Sequence, residues 1–504
     1  MHAEEEQDQM AQYAAYAASL PTHGHPVDAG RFNRFTPSEY VRRRAKAWPQ
    51  FPPGSVAVIP AGIPKFMTQT GGIPIPHPSG YRPHPDFLWL TGCEDMGAVA
   101  VLESDAGAPG GVRMTVVAGP ATAHDLVWDN APESLGSVAR RCGAEAVAVD
   151  LDGVLVEAKL RAGDRFRLFY DPDVNPGVHL QRGYFGPEYR HQVRSGVLES
   201  WVKDGMMWKA QVRCEDPTVP LGEARWVKGE AEVDAMRSAA RATGTALIQT
   251  MRDTVAGETE LAAGARFEYH ARREGCGKFA YPACVGSGQR SAVVHCFPTG
   301  REGMREGDML LMDVGGCVEG YASDITRTWA VPRARGGPAR FSEAQALVYG
   351  AVLRTHEQLL RSCVEGTSFH ALNAECVGLL GEELMALGWI DRPTHAEIKR
   401  FFPHNVSHPL GMDVHDGAKI NTSQRVLTEG VVMTVEPGLY VPPWEREALR
   451  RRPHAKAVDF VGGIRIEDDV VIRARGAPEV LSDFVPRSME DLCDLAAGTP
   501  SVQI

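Results

Sequence analysis

The chain has 504 residues, of which 43% are hydrophobic and 23% are charged, and its formal net charge is −11. This length and composition are typical of a soluble globular protein with two domains. The acidic balance argues against a nucleic-acid partner, and the sequence has no run of eighteen apolar residues that would predict a membrane span.

Ten cysteines are scattered along the chain without a close CxxC pair, a pattern typical of reduced thiols in an intracellular protein. Three of the first six residues are glutamates, so the start fits neither a basic secretory signal nor an arginine-rich transit peptide. We therefore expect an intracellular protein, mitochondrial or cytoplasmic, with no clear presequence in this chain.

The first half of the chain predicts a layered α/β domain. Residues 1–36 are polar and rich in proline, glycine and histidine, and we expect them to form an N-terminal extension. A helix is predicted over residues 39–48. Short apolar runs then predict strands at residues 55–60, 87–90, 98–102 and 114–118. Helical and strand patterns alternate as far as residue 171, so residues 37–224 are predicted to form the α/β domain.

The second half predicts a domain of α+β character. Apolar residues at helical spacing predict helices over residues 228–251 and 259–274. A strand-rich segment with many glycines follows, and Ser342 and Gln345 have the spacing of a capping box that opens another helix. Short strands and loops fill the chain from residue 401 onward. We therefore place the second domain at residues 225–490.

Five side chains of metal-ligand type lie in this second domain. They are Asp313, Asp324, His408, Glu436 and Glu467. Taken alone, either aspartate would more often be a strand-end or cap residue. Four carboxylates in one core would repel each other, however, unless cations lay between them. Two divalent ions such as Mn²⁺ suit a carboxylate-dominated site, and a paired-metal site can ionise a water and polarise a carbonyl.

Histidines are concentrated near one of these positions. His404, His408 and His415 fall within twelve residues. One imidazole can bind a metal, and the others can bind a substrate carbonyl or transfer protons near neutral pH. His295 is a weaker candidate of the same kind. A lone histidine is more often a structural residue, so the prediction depends on the cluster.

The strand that leads to Glu467 carries a second charge. Alternation along this strand puts Arg465 and Glu467 on one face, which leaves a structural arginine–glutamate pair as an alternative to a metal ligand. Asp468 and Asp469 follow directly. We expect these two aspartates to be solvated or to support the ligands from behind.

The strings around the five ligand-type residues are LMDVG, SDITRT, VSHPLG, TVEPG and GIRIED. They resemble the Xaa-Pro aminopeptidase (aminopeptidase P) branch of the M24 metallopeptidases, whose catalytic domain has the creatinase/methionine aminopeptidase-like "pita-bread" fold. Residues 81–92 resemble the signature of that family's N-terminal domain, so the likeness spans most of residues 36–485. Residues 24–26 and 411–416 resemble the mitochondrial-type eukaryotic subgroup.

The resemblance implies a role for each ligand-type residue. Asp313 chelates one metal, and Asp324 and Glu467 bridge both metals. His408 and Glu436 complete the other metal site. The family usually works with Mn²⁺, so two divalent ions, most of all Mn²⁺, are the expected cofactors.

The resemblance also implies residues around the substrate. His295, His404 and His415 line the pocket, and Arg465 supports the metal cluster. A water or hydroxide that bridges the metals attacks the scissile carbonyl, while His404 or His295 stabilises the oxyanion. Glu436 accepts the proton of the water and passes it to the prolyl nitrogen.

The expected function is an aminopeptidase that cleaves the N-terminal Xaa-Pro bond of peptides, and processing of protein N-termini is left open. A homodimer or homotetramer is expected by family analogy. Two alternatives remain. The first is an Xaa-Pro dipeptidase (prolidase), which would use the same five ligands. The second is a non-catalytic binding module on the pita-bread fold, which would lack metal ligands.

Overall fold

The computed structural model describes residues 35–62, 81–94, 98–118, 135–171, 214–417 and 419–498. The chain forms two compact units, Met1–Ala224 and Arg225–Ile504. Nearly all of the predicted N-terminal extension lies outside the described residues. Within the described ranges, none of the helices combines the length and the apolar character that crossing a bilayer requires.

The first unit is built on one mixed sheet. Its helices are α1 (Pro37–Ala47), α2 (Pro85–Thr91), α3 (Leu135–Cys142), α4 (Leu151–Ala162) and α5 (Thr218–Arg225), the last of which reaches the first residue of the second unit. Its strands are β1 (Ser55–Pro60), β2 (Val99–Ser104), β3 (Val112–Val117), β4 (Ala146–Ala148), β5 (Arg167–Phe169) and β6 (Cys214–Glu215). The order in the sheet is β4-β3-β2-β1-β5-β6, with β2 antiparallel to β1 and β3 and the other pairs parallel. The predicted α/β character of this unit is confirmed.

One predicted strand is wrong, because residues 87–90 lie in helix α2. The ring of His84 caps this helix by accepting a hydrogen bond from the backbone N–H of Asp86 at 3.3 Å. Pro85 occupies the first turn, and the helix ends at Gly92 with a φ of 59°. A run of four apolar residues does not distinguish a strand from a buried helical turn. The proline before the run and the glycine after it are the signals of a helix.

The second unit combines four small sheets with long helices. Its helices are α6 (Glu230–Asp253), α7 (Glu260–Arg273), α8 (Glu343–Ser362), α9 (Phe369–Ala386), α10 (His395–Lys399), α11 (Pro443–Arg450) and α12 (Met489–Ala496). Its strands are β7 (Lys278–Phe279), β8 (Cys284–Ser287), β9 (Met309–Val314), β10 (Gly316–Val318), β11 (Tyr321–Ala322), β12 (Ile325–Ala330), β13 (Val432–Val435), β14 (Gly438–Val441), β15 (Gly462–Arg465), β16 (Asp468–Val471) and β17 (Glu479–Val480). The sheets have the orders β11-β10-β7, β12-β9-β8, β13-β16-β17 and β14-β15.

Helices and sheets of the second unit share one apolar core. Leu247 of α6, Val352 of α8 and Trp329 of β12 belong to a single cluster of buried side chains. The predicted capping box of α8 is confirmed, because Ser342 and Gln345 each accept the other's backbone N–H, at 2.8 and 3.2 Å. Packing of this kind, rather than helix propensity, supplies most of the stability of such elements. It also fixes the strand ends at which the charged residues lie.

A tight hairpin connects the two aspartates predicted as ligands. Strands β10 and β11 pair at Val318 and Tyr321, and the two residues between them, Glu319 and Gly320, have φ values of 52° and 81°. Two positive φ angles are typical of a type I′ turn, which matches the twist of a hairpin. The hairpin returns the chain, and β12 then runs antiparallel to β9.

Candidate metal centre

Asp313 and Asp324 meet because strands β9 and β12 pair. The register places Thr326 opposite Asp313, and Asp324 directly precedes β12. The hydroxyl of Tyr281 lies within hydrogen-bond distance of both carboxylates, 2.5 Å from Oδ1 of Asp313, and its one proton is shared between them. The two aspartates, eleven residues apart in the sequence, therefore contact the same tyrosine hydroxyl.

His408 and Glu436 approach these aspartates from another part of the unit. Nε2 of His408 lies 3.4 Å from Oδ2 of Asp324 and 3.5 Å from Oε1 of Glu436. Glu436 directly follows strand β13. The backbone N–H of His408 donates to Oγ1 of Thr434 at 3.2 Å, and the N–H of Thr434 donates to the carbonyl of His408 at 3.0 Å. These two bonds fix the backbone of His408 beside strand β13, and so they set where its imidazole can reach.

Glu467 lies between strands β15 and β16 and reaches the same region. Its Oε2 accepts a hydrogen bond from Oγ1 of Thr326 at 2.5 Å, and its backbone N–H donates to the carbonyl of Thr326 at 3.1 Å. One ligand atom from each of Asp324, His408 and Glu467 lies within 4.8 Å of the others. Asp313 joins them through Tyr281, and Glu436 joins them through His408.

Burial and mutual repulsion disfavour the charged forms of these carboxylates. Burial and the charge of Asp324 raise the pKa of Glu467 well above its usual range. Burial, together with the nearby aspartates, raises the pKa of Glu436 to about 7 against the effect of His408. Burial also raises the pKa of Asp313, although Arg465 opposes the rise. In the absence of cations, the cluster is therefore short of positive charge.

His408 shows the complementary shift. Burial opposes a charge on its ring, but the hydrogen bond with Asp324 and the charge of Glu436 raise the pKa of His408 to about 9. Without a metal, this imidazole takes up a proton that partly offsets the carboxylates. A divalent cation would supply more positive charge and would leave the imidazole neutral, which is the form that binds metals.

The donor set therefore fits divalent metal ions. Four carboxylates and one imidazole offer oxygen and nitrogen ligands, which suit hard or borderline ions better than thiolate-seeking ones. Arg465 is a fully buried cation beside them, and it forms an ion pair with Asp313 at 2.5 Å. Two divalent ions would outweigh the remaining negative charge by one, which would favour an anionic ligand such as hydroxide.

Arg465 connects the carboxylates with the residues around them. It donates from Nε to Oγ1 of Thr326 at 3.1 Å and from Nη1 to the hydroxyl of Tyr440 at 2.7 Å. Its Nε is 4.0 Å from Oε2 of Glu467. The arginine–glutamate pair considered from the sequence is therefore a long contact, and Asp313 is the closer acidic partner.

His404 is held on both sides of its ring. Nδ1 lies 2.7 Å from the carbonyl oxygen of Asn405, and Nε2 lies 2.9 Å from the hydroxyl of Tyr440. Because a carbonyl only accepts, we assign the proton to Nδ1, so that Tyr440 donates to Nε2. Burial and the charge of Arg465 lower the pKa of His404 to about 3, which keeps the ring neutral.

His415 and His295 lie at the exposed side of the region. The ring of His415 meets that of His408 edge to face, with centroids 4.3 Å apart. Burial and the charge of His408 lower the pKa of His415. The imidazole of His295 lies close enough to His404 and His415 that a charge on it would disfavour a charge on either ring.

Several residues of the site carried no recognisable signal in the sequence. Tyr281, Tyr440 and Thr326 each contact a predicted residue, but isolated hydroxyl residues have no diagnostic pattern.

Asp468 and Asp469 were expected to be solvated or supporting, and the solvated alternative is wrong because both are 0% exposed. The carboxylate of Asp469 accepts the backbone N–H of Asp324 at 3.1 Å, and that of Asp468 pairs with Arg327 at 2.7 Å.

Comparison with known proteins gives consistent matches along the chain. Residues 234–474 match the family model of Metallopeptidase family M24, and residues 40–157 match that of the Aminopeptidase P N-terminal domain. Xaa-Pro aminopeptidase 3 of Mus musculus is 32% identical over 83% of this chain and 78% of the relative. The mitochondrial Intermediate cleaving peptidase 55 of Arabidopsis thaliana is 29% identical over 90% of this chain and 82% of the relative.

A solved structure extends the likeness to three dimensions. The Pseudomonas aeruginosa aminopeptidase PepP has a TM-score of 0.77 at 27% identity, and the match covers 93% of this chain and 99% of that chain. The predicted fold, an α/β domain followed by a pita-bread catalytic domain, is thereby confirmed.

Proposed function

The chain belongs to metallopeptidase family M24, and from this premise we propose that it is an Xaa-Pro aminopeptidase that removes the first residue of peptides whose second residue is proline. The observation that carries the proposal is the approach of ligand atoms from Asp324, His408 and Glu467 to within 4.8 Å of one another. Donors this close, on separate elements and largely buried, form a preorganised metal site rather than a chance surface cluster.

Two divalent metal ions are the proposed cofactors. Asp313, Asp324, His408, Glu436 and Glu467 would hold them. We propose Mn²⁺ as the metal, because oxygen donors outnumber nitrogen donors and thiolates are absent from this set. When bound, a metal pair lowers the pKa of water and acts as a Lewis acid on the scissile carbonyl.

Glu436 is the proposed proton carrier. One of its oxygens lies 3.5 Å from Nε2 of His408 and the other lies 3.7 Å from Nδ1 of His404. The prolyl nitrogen leaves as an amine, so it must gain a proton as its bond to the carbonyl carbon breaks. Glu436 takes that proton from the attacking water and transfers it to the nitrogen, as a general base and then a general acid.

His295 is the better of the two histidines considered for the oxyanion. Both ring nitrogens of His404 already have partners, Asn405 and Tyr440, so its N–H is not free to bind substrate. The ring of His295 is exposed and can donate to the developing negative charge. His404 then serves to orient the pocket, with Arg465 holding Tyr440 behind it, and His415 lines the exposed side.

The remaining parts of the proposal concern the setting. We propose a homodimer or homotetramer acting on peptides, including the N-termini of proteins, in mitochondria or cytoplasm. The mitochondrial compartment is supported by the likeness to the mitochondrial Intermediate cleaving peptidase 55 of Arabidopsis thaliana. Mass measurement of the purified protein under native conditions tests the oligomeric state.

A tripeptide assay tests the reaction itself. The holoenzyme with Mn²⁺ should release leucine from Leu-Pro-Ala, and a chelator should reduce the rate to background, because the metal supplies the Lewis acid. N-acetylation of the tripeptide should block cleavage, because an aminopeptidase needs a free N-terminus. Free leucine measured by mass spectrometry reports each rate.

The same assay separates the alternatives. A prolidase would cleave the dipeptide Leu-Pro and leave Leu-Pro-Ala intact, which would refute the proposal. Leu-Ala-Ala is the matched control for the proline requirement. Equal cleavage of Leu-Pro-Ala and Leu-Ala-Ala would contradict the proposed Xaa-Pro specificity. A non-catalytic binding module would cleave none of them, and all five ligand positions being filled argues against it.

A further inference from the structure

A buried ion cluster lies at the base of the loop formed by residues 409–416. The carboxylate of Asp416 accepts a hydrogen bond from Nζ of Lys228 at 2.8 Å and another from the guanidinium of Arg225. The side chains of Asp416 and Lys228 are 2% exposed, and that of Arg225 is 6% exposed. We call these three residues the Asp416 anchor.

The anchor holds the segment that carries two of the site histidines. Asp416 directly follows His415, and its backbone N–H donates to the carbonyl of Pro409 at 3.0 Å. Pro409 in turn follows His408, so this hydrogen bond joins the first and last residues of the loop. Because the rings of His408 and His415 are in contact, a movement of Asp416 would move one ring relative to the other.

Gly411 allows the loop to lie directly on the anchor. A Cβ at this position would be 2.4 Å from Oδ2 of Asp416 and 3.0 Å from Cε of Lys228. The carbonyl of Gly411 accepts the backbone N–H of Ala322 at 2.8 Å, two residues before Asp324. The loop is therefore confined between the anchor and the strand that leads to a predicted metal ligand.

Stability alone does not account for three buried charges. Removing charges from water costs free energy that their attraction often fails to offset, and apolar replacements of similar volume are frequently as stable. Although burial opposes ionisation, Arg225 and Lys228 lower the pKa of Asp416, so it is an anion at neutral pH. In some proteins buried polar or ionic groups fix one conformation, and the contacts of Asp416 with the loop around His415 point to that role here.

We propose that the Asp416 anchor is a positioning device that fixes the exposed imidazole of His415 for substrate binding. Asp416 does not face the substrate and acts through His415. The inference rests on the proposed function, because that function places His415 in the substrate pocket.

A double-mutant cycle tests this role. With the metal content unchanged, Asp416→Asn should lower kcat/KM for Leu-Pro-Ala at least about tenfold, because small displacements of positioning groups are costly. In a His415→Ala background, the same substitution should cause no further loss, since its effect passes through His415. Hydrogen exchange of the backbone amides of residues 410–416, measured on metal-free protein as well, should become faster in Asp416→Asn.

Matched variants make the test specific. Asp413 also pairs with Arg225, at 2.7 Å, but its side chain is 44% exposed, so Asp413→Asn should leave kcat/KM within about twofold. Lys228→Gln should reproduce the loss, and Lys228→Arg should retain most of the activity. If Asp416→Asn does not fold, Lys228→Gln replaces it in the cycle.

The outcomes distinguish a failure of the positioning role of the Asp416 anchor from a failure of the proposed aminopeptidase function. An equal loss in the wild-type and His415→Ala backgrounds, or unchanged hydrogen exchange, overturns the positioning role. If the wild type cleaves Leu-Pro-Ala and Asp416→Asn cleaves it equally fast, only the anchor fails. If the wild type with Mn²⁺ cleaves no peptide, the proposed function fails instead.

Discussion

Replacing Asp324 by asparagine is expected to lower kcat/KM for an Xaa-Pro-Xaa peptide by about a thousandfold or more, since it removes a charge from the centre of the site. Asp324 contacts His408 at 3.4 Å and shares the hydroxyl of Tyr281 with Asp313. Asparagine keeps the shape of the side chain but is a poor ligand for two cations at once. Elemental analysis should therefore show less than two metal ions per chain.

The stability of the metal-free variant distinguishes a binding role from a folding role. Asp324 raises the pKa values of Asp313 and Glu467 through its charge, after the larger effect of burial. Removing that charge should leave the stability of the metal-free protein close to that of the wild type in a urea titration, because relief of the repulsion among the carboxylates offsets the lost attraction between Asp324 and His408. The loss of activity would then come from metal binding and not from unfolding.

Asp308→Asn is the matched control. Asp308 precedes strand β9, at the opposite end from Asp313, and accepts the backbone N–H of Arg305 at 2.9 Å. This variant should bind two metals and keep wild-type turnover. Full metal occupancy and normal turnover in Asp324→Asn would contradict the bridging assignment.

The proposed ligand residues stand out in the sequence because they break local rules. Asp313 and Asp324 stand where an apolar strand residue is expected, and a buried charge needs a partner. The residues between them, Glu319 and Gly320, indicate a turn. The α/β first domain and the long helices followed in the same way, from apolar periodicity and from caps such as Ser342.

Other features depend on contacts that no local pattern encodes. Tyr440 meets Arg465 because strands β14 and β15 pair, and it meets His404 because its backbone N–H donates to the carbonyl of Phe401 at 2.9 Å. Asp468 and Asp469 look like an exposed acidic turn, yet strand β16 is fully buried. Charged residues adjacent in sequence do not reveal whether cations from distant segments cover them. Arg327, more than 140 positions before Asp468 in the sequence, is the clearest example.

Arg327 is fully buried and uses all its donors. Nη1 donates to the carbonyls of Thr326 and Glu467, at 2.9 and 2.7 Å. Nη2 donates to Oδ1 of Asp468 at 2.7 Å and to the carbonyl of Val485 at 3.0 Å, and Nε donates to the carbonyl of Pro486 at 2.9 Å. A guanidinium has five N–H groups, so each has a partner here. Arg327 therefore links Glu467, a proposed metal ligand, to the chain segment before helix α12.

Arg327→Met is expected to destabilise the protein by about 3–5 kcal/mol, because it leaves the buried carboxylate of Asp468 without its main cation and several carbonyls without donors. The free energy of unfolding from urea titration measures this loss. Arg327→Lys keeps the charge but cannot form the fork, so its stability should lie between those of Arg327→Met and the wild type. Arg333→Met is the control, since Arg333 is exposed just beyond strand β12. Equal stability of the Arg327→Met and Arg333→Met variants would show that the buried arginine does not stabilise the fold.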